Sequence, residues 1–377
     1  VHIFMSKPSM TEEELLAVKE ILDSGWLGEG ASSEKFENKL AELTGAPYVV
    51  AVNTGTSALH LILVEMGVGP GDEVILPSFT FASDPMAVHL CGARPVFADI
   101  DLQSLNLDPG LLDALITPRT RVIMPTDYAG LPADVPAIRA VIGNRNIRIV
   151  RDASHSFGSS INGRPLGVWC GEDATCFSFD PIKTITCGEG GAILVNDQEW
   201  AKNMMCKRRL GFEQSIWGSL TGGTVQDRRV SQVGYRYHLS NINAAIGLVQ
   251  IKRLPELIST RQAVAARYDE LLAPVPGIQI FTRDYTQIAP FIYPVRVESA
   301  HHDKLIDWLN SRGIHAGLRY FPSHRQPFFD SPDLVLPVTD QISRELICLP
   351  IHAELSRKEI DEVVGAIRSY FEAALAR

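Results

Sequence analysis

Short, nearly continuous apolar runs recur along the first half of this chain, most of them followed by a segment of helical periodicity. Tyr48-Val49-Val50-Ala51-Val52, Glu73-Val74-Ile75-Leu76, Pro95-Val96-Phe97, Val122-Ile123-Met124, Ile147-Arg148-Ile149-Val150 and Ala174-Thr175-Cys176-Phe177-Ser178-Phe179 read as strands. They do not alternate cleanly between apolar and polar, so they suit a sheet covered on both faces. Strand alternating with helix implies a mostly parallel sheet with helices on both sides. Ligands of such sheets bind beyond the carboxyl ends of the strands. The residues that follow each apolar run are therefore the ones to inspect for chemistry.

The flanking segments add helices. Thr11 and Glu14 have capping-box spacing ahead of a stripe of Leu15, Val18, Ile21 and Leu22, which Gly25 stops. A second helix from Ser33 carries Phe36, Leu40 and Leu43 on one face, with Gly45 and Pro47 ending it. Ala192-Ile193-Leu194-Val195 is a further strand, close behind the turn Gly188-Glu189-Gly190-Gly191. Ser240 caps a helix expected over Asn241 to Arg253, and Pro255 opens a second one reaching Leu272. From Ile278 the chain becomes strand-rich, then closes with a helix from Ser356 to Leu375. The expected organisation is a large domain over 1–253 and a smaller C-terminal α+β domain over 254–377.

Charge and composition remove several classes. The 377 residues include 35 basic and 44 acidic side chains, a net −9 with His neutral. That balance disfavours a nucleic-acid backbone as main partner, because neutralising phosphates needs a basic face. No apolar stretch of roughly 18 residues occurs, so no transmembrane helix is expected. The start, Val1-His2-Ile3-Phe4-Met5-Ser6-Lys7-Pro8, lacks the pattern of a signal peptide. The six cysteines are scattered and form no CxxC pair, which suits reduced thiols in a cytoplasmic protein.

Three segments at strand ends carry functional groups. Gly55-Thr56-Ser57 opens a helix, where free amides, two hydroxyls and the positive end of the dipole make an anion site. A plain Thr/Ser helix cap has the same appearance. Asp152 follows an apolar strand and suits a protonated ring nitrogen, although a helix cap or an ion pair with Arg151 reads equally well. His155 suits a hydrogen-bonded position at a helix start. Lys183 lies between an apolar strand and the Gly188–Gly191 turn, among apolar and small neighbours. A lysine lowered in pKa by burial is a nucleophile for carbonyl groups; most loop lysines are simply solvated. An anion cradle, a carboxylate for a pyridinium and an amine for a Schiff base are together the requirements of pyridoxal phosphate.

The chain resembles the DegT/DnrJ/EryC1/StrS family of nucleotide-sugar aminotransferases. The resemblance runs through Gly25-Trp26-Leu27-Gly28-Glu29-Gly30, Asn53-Thr54-Gly55-Thr56-Ser57-Ala58-Leu59-His60-Leu61, Gly67-Val68-Gly69-Pro70-Gly71-Asp72-Glu73 and Gly92-Ala93-Arg94-Pro95-Val96-Phe97. It continues through Lys183 to Gly191 and Leu239-Ser240-Asn241-Ile242-Asn243. It implies the fold of type I pyridoxal-phosphate transferases: an α/β large domain with a mostly parallel seven-stranded sheet flanked by helices, and a smaller C-terminal α+β domain.

By the same resemblance, Lys183 holds the coenzyme covalently and shuttles the proton, while Asp152 pairs with the pyridine nitrogen. Phe81 stacks on the ring, with Phe79 as a rival, and His155 lies near the ring hydroxyl. Gly55, Thr56, Ser57 and Ser178 bind the phosphate. Trp26, Leu27, Tyr320, His324 and Arg325 are candidates for the sugar-nucleotide site. The implied reaction moves an amino group from L-glutamate to a nucleotide-linked keto-sugar, a 4-keto-6-deoxy hexose by family frequency, for a surface polysaccharide or glycosylated natural product. A 3-keto sugar, a free keto-cyclitol and a non-catalytic pyridoxal-phosphate sensor are the alternatives. A homodimer with shared sites is implied, with Arg236 crossing over to bind the phosphate of the partner's coenzyme, or else a nucleotide phosphate. Three places depart from the family pattern: Arg236 stands where Asn is usual, Asp127 where His is common, and Asp84-Pro85 is atypical.

Overall fold

In the computed structural model, which describes residues 2–214, 229–329 and 331–375, the apolar runs form one sheet. Its strands are β1 (Tyr48–Val52), β2 (Glu73–Pro77), β3 (Arg94–Ala98), β4 (Thr120–Ile123) and β5 (Arg148–Asp152). After a small ribbon of β6 (Ser160–Ile161) and β7 (Arg164–Pro165) come β8 (Ala174–Ser178) and β9 (Gly191–Val195). Among the described residues the sheet has seven strands in the order β1-β9-β8-β5-β4-β2-β3. Neighbours are parallel from β3 through β8. β9 runs antiparallel to both β1 and β8. Alternation of strand and helix does not reveal that reversal: the link from β8 to β9 holds Lys183 and no helix, so the chain turns straight back.

The strands are apolar on both faces because both are covered. Val50, Val52, Val74, Leu76, Val122, Val150, Cys176 and Ile193 pack with Ala58, Leu59 and Ile62 of the helix Gly55–Glu65. On the opposite face Ala51, Phe177 and Leu194 meet Phe36, Leu40 and Leu254, and Ile75, Ile123 and Ile149 meet Val135, Ile138 and Ile142. Each aliphatic side chain so buried contributes about 1.5–3 kcal/mol relative to exposure.

Two helices differ from expectation. The helix Glu12–Ser24 has the Thr11–Glu14 capping box, but its stripe does not face inward: Leu15 is 68% and Leu22 54% exposed. Its buried residue is Glu14, which accepts from Gln250 Nε2 at 2.6 Å and Arg253 Nη1 at 3.1 Å. A polar anchor thus fixes the helix and turns its leucines outward. Second, Pro255 does not divide the chain. One helix runs Asn241–Leu272, so the boundary expected after residue 253 falls inside it. The proline's missing donor is tolerated because the helix is tied on both sides of it: Arg253 donates to Ser9 O at 3.0 Å, and Arg261 to Ile351 O at 3.2 Å.

The C-terminal part is an antiparallel sheet of β10 (Gln279–Ile280), β11 (Tyr293–Arg296) and β12 (Leu346–Leu349). Helices Ser299–Asn310 and Arg357–Leu375 pack on it, together with Val264, Tyr268 and Leu272 of the long helix. The N-terminal segment joins this unit: Ile3 N donates to Gly313 O at 2.8 Å, and its side chain enters the same core. Among the described residues no helix is long and apolar enough to cross a membrane.

Candidate active site

At the carboxyl end of β5, strand alternation separates two neighbouring charges. Arg151, with no exposure, lies 3.2 Å from Asp127 and 3.8 Å from Glu172. Asp127 also accepts from Ser156 Oγ at 2.6 Å and Ala133 N at 2.8 Å. The atypical Asp127 is therefore the counterion of a buried arginine. Asp152 follows Val150 onto the opposite face, the one covered by the Gly55 helix, and pairs instead with its own turn. Its Oδ1 accepts from Ser154 Oγ at 2.5 Å and Ser154 N at 3.0 Å.

Beside Asp152 is a second buried carboxyl, Asp84. Asp84 Oδ2 accepts from Thr80 Oγ1 at 2.6 Å and Thr126 Oγ1 at 2.9 Å, and Oδ1 from Ser83 Oγ at 3.0 Å. Burial raises both carboxyls above the usual range, and the charge of Asp84 raises Asp152 further. The only sequence signal for this pair is the atypical Asp84-Pro85.

Lys183 reaches the same place from the β8–β9 connection. Burial pushes its ammonium down to about 8, although Asp152 and Asp180 pull the other way. Its Nζ sits 4.3 Å from the Phe291 ring centroid. The His155 ring lies on the same phenylalanine, centroids 4.6 Å apart. Burial, with Lys183 and Arg319 nearby, pushes His155 well below its ordinary value, so the ring is neutral. Its Nε2 is 3.0 Å from Tyr320 Oη, while Nδ1 is buried without a partner among the described residues. Phe291 has no sequence signal, since it arrives from the C-terminal part across the fold.

The two candidate phenylalanines separate cleanly. Phe79 is buried in a core cluster against Tyr128 at 5.1 Å. Phe81 is 53% exposed, with Tyr320 at 5.3 Å.

The Gly55 helix opens toward this cluster. Thr54 caps it, its Oγ1 accepting from Ser57 N at 3.0 Å, and Ser57 Oγ donates to Asn53 Oδ1 at 2.7 Å. The first-turn amides of such a helix lack intrahelical acceptors. Ser178 shares the face of Cys176 and closes on Gly55, where an added Cβ would stand 2.9 Å from Ser178 Cβ. Gly191 stands opposite Ser178 in the ladder, and a Cβ there would reach Thr54 O at 2.4 Å. Small residues thus let three chain segments converge on one helix N-terminus.

Of the expected substrate contacts, Trp26 and Leu27 line one cavity of about 430 Å³ together with Arg236, expected at the coenzyme, and with Glu29, Arg209 and His238. Between Arg236 and His238, Tyr237 O accepts from Asn53 N, just ahead of the Gly55 helix, at 2.7 Å. Tyr320 joins the lysine cluster through His155. His324 and Arg325 do not join it. Ser78 Oγ lies 2.6 Å from His324 Nδ1, and Asp340 lies 3.3 Å from its Nε2. Arg325 pairs with the same Asp340 at 3.1 Å. His324 ties the C-terminal loop to the large domain through Ser78, whereas Arg325 pairs within the C-terminal part.

A model of the DegT/DnrJ/EryC1/StrS aminotransferase family matches residues 8–368. The chain belongs to this family. Its structure resembles the aminotransferase TlmJ from Streptoalloteichus hindustanus, 33% identical, with 100% of both chains covered and a TM-score of 0.91. It also resembles the putative sugar aminotransferase Spr1654 from Streptococcus pneumoniae in its PMP form: 29% identity, 98% of this chain and 99% of that one, TM-score 0.91. DesV from S. venezuelae, solved with a ketimine intermediate, is 33% identical over 95% of this chain and 94% of its own, with a TM-score of 0.86. The enzyme class is that of the pyridoxal-phosphate-dependent aminotransferases.

The residues of this aminotransferase fit that coenzyme. A buried amine with lowered pKa suits its aldehyde, and a buried carboxyl suits its ring nitrogen. The orphaned Nδ1 of His155 and the cradle between Gly55 and Ser178 supply polar surface at the same strand ends.

Proposed function

We propose that this aminotransferase transfers an amino group from L-glutamate to a nucleotide-linked keto-sugar, a 4-keto-6-deoxy hexose, as a cytoplasmic step toward an amino sugar for a surface polysaccharide or glycosylated natural product. The observation that carries the reading is Lys183: a buried amine, half neutral near pH 8, beside a carboxyl at the end of β5. When bound, pyridoxal phosphate supplies the electron sink for breaking the bond to the α-hydrogen.

The chain's own groups do the rest. Lys183 would be the attachment point, and its Nζ, once free, would be the base that takes up and gives back the donor's proton. Asp152 holds a proton on the ring nitrogen. Phe81 would cover one face of the ring, and His155 would stand beside the ring hydroxyl. Gly55, Thr56, Ser57 and Ser178 hold the phosphate with first-turn amides and hydroxyls. Trp26, Leu27 and Tyr320 meet the sugar nucleotide. His324 and Arg325 serve the fold.

A homodimer belongs to this reading, with Arg236 reaching the partner's site. Leu15, Leu16, Leu22 and Leu27 support it, because all are large, apolar and more than 40% exposed on one chain.

Borohydride reduction of the holoenzyme followed by peptide mapping tests the attachment. The label belongs on Lys183, and a label elsewhere overturns the assignment. Lys183→Ala should abolish glutamate-driven conversion of the coenzyme to its amine form. A panel of nucleotide-linked and free ketones tests the acceptor: transfer to the free ketone alone refutes the nucleotide-sugar reading.

A further inference from the structure

The long helix Asn241–Leu272 passes from one core to the other. Leu254 and Leu257 pack beneath the large sheet, whereas Val264, Ala265 and Tyr268 belong to the C-terminal core. Arg261 lies between these stretches and is 2% exposed. Its guanidinium forms no ion pair among the described residues and meets main-chain carbonyls instead. Nη1 donates to Ile351 O at 3.2 Å and to Pro290 O at 3.4 Å, and Nη2 donates to Lys183 O at 3.4 Å. Nε is buried without a partner among the described residues. Burial pushes this guanidinium down to about 10.

A buried cation without a carboxylate destabilises a fold, because neutral dipoles replace its hydration only in part. An apolar side chain of similar length would fill the same space with less penalty. What the guanidinium adds lies in the identity of its acceptors. Lys183 O belongs to the residue whose amine is the proposed attachment point. Pro290 O directly precedes Phe291, whose ring centroid is 4.3 Å from Lys183 Nζ and 4.6 Å from the His155 ring. One carbonyl comes from the β8–β9 connection and the other from the C-terminal part. The next residue of the helix supports the same segment, since Gln262 Nε2 donates to Ile288 O at 3.0 Å. A planar guanidinium has donors in a rigid fork, so it holds two peptides in a fixed relation that a single ammonium on a flexible stem does not.

We propose that Arg261 is a positioning residue for the amine of Lys183: by holding Lys183 O and Pro290 O on one guanidinium, it sets that amine against the Phe291 ring. The functional consequence rests on the reading of Lys183 given above, whereas the geometric claim does not. Arg261 acts through two backbones and makes no contact of its own with the amine.

A double-mutant cycle on the full-length, coenzyme-free protein tests the geometry. The pH midpoint for modification of Lys183 by acetic anhydride, read by peptide mapping, reports the ionisation of its amine. Phe291→Leu should lower that midpoint by about half a unit, because the ring no longer stabilises the ammonium. In an Arg261→Lys background the same substitution should shift it by only about a tenth of a unit, because the ring has already left the amine. Arg261→Met, of similar length and uncharged, should abolish the shift in the same way. Asp152, Asp180, Asp84, His155 and Arg319 also bear on Lys183, but they are common to every protein of the cycle and cancel. An undiminished shift in both backgrounds overturns the proposal, and so does the lack of any shift in the parent. A midpoint that moves in Arg261→Met but not in Arg261→Lys, with the Phe291 shift intact, marks a charge acting at a distance and refutes positioning. If neither variant folds, Arg261 only supports stability and the proposal fails. In the holoenzyme, Arg261→Lys should slow glutamate-driven conversion of the coenzyme to its amine form roughly ten- to a hundredfold at unchanged KM, because a misplaced base loses rate and not binding. A raised KM with the rate kept contradicts the proposal. Borohydride mapping of the unsubstituted holoenzyme reports separately on the coenzyme reading: a label away from Lys183 refutes that reading, while the result of the cycle stands on its own.

Discussion

Gly191→Ala tests the cradle at its tightest point. A methyl group at Gly191 would stand 2.4 Å from Thr54 O and 2.8 Å from Gly55 N. Ordinary carbon contacts begin near 3.4 Å, so something must give by about 1 Å. The glycine itself cannot retreat, because it is paired with Val52 on one side and Ser178 on the other. Movement therefore falls on the Thr54–Gly55 turn, whose amides open the helix toward the proposed phosphate site. A displacement of that size misaims at least one charge-assisted hydrogen bond, each contributing about 1.5–3 kcal/mol. At 1.4 kcal/mol per factor of ten, the coenzyme should bind roughly ten- to a hundredfold more weakly. Fluorescence titration of the apoprotein with pyridoxal phosphate measures this directly. Pyridoxal lacking the phosphate is the control, and its affinity should change little. An affinity for pyridoxal phosphate within threefold of the parent, in a folded variant, would refute the cradle. Equal weakening for both ligands would refute the claim that the damage is local to the phosphate.

Other expectations follow from the same geometry. Lys183 is half neutral at about 8, and its nucleophilic fraction grows as the pH rises toward that value; the rate of coenzyme attachment to apoprotein should therefore rise with pH and level off past 8, and a rate flat from pH 6 to 9 would contradict the lowered pKa. Asp127→Ala strips the nearest counterion from the buried Arg151 guanidinium, leaving Glu172 at 3.8 Å; chemical denaturation should show a loss of about 3–5 kcal/mol, with Lys183 still labelled by borohydride in the folded fraction. Phe291→Leu keeps bulk but removes the π face 4.3 Å from Lys183 Nζ; stopped-flow attachment of the coenzyme should accelerate at pH 7, because the ring no longer stabilises the ammonium.

Much of the fold was legible because the determining signals are local. Continuous apolar runs marked seven strands within a residue or two, and the left-handed glycines Gly25 and Gly45 ended the first two helices. What misled was context. Leu15 and Leu22 read as a core stripe, yet Glu14 anchors that helix by its polar edge. Pro255 read as a break, yet contacts from both ends hold the helix through it. The site divides in the same way. Gly55, Asp152 and Lys183 each follow a strand and were visible for that reason. Asp84 and Phe291 were not, because their meaning lies in what they meet: Asp152 is 68 positions beyond Asp84, and Phe291 comes from the strand-rich C-terminal part. Nor does a sequence show that Ser78 and Asp340 engage His324 and Arg325.

The end of β5 shows why a parallel sheet can carry this chemistry without unfolding under its own buried charge. Arg151 and Asp152 are adjacent in sequence, and side chains alternate across a strand. The arginine is neutralised on one face by Asp127 and Glu172, carboxylates supplied by other segments. The aspartate on the other face keeps no arginine. It is left with a lysine lowered toward neutrality and a second carboxyl. Charge balance on the Arg151 face is closed, whereas on the Asp152 face it is open, and there the proposed reading sets the ring nitrogen of the coenzyme. Exchanging which face Arg151 serves would pair it with Asp152, lower that carboxyl and fill the place a pyridinium needs. The two-residue period of the strand keeps these roles apart, so stability resides on one side of the sheet and reactivity on the other.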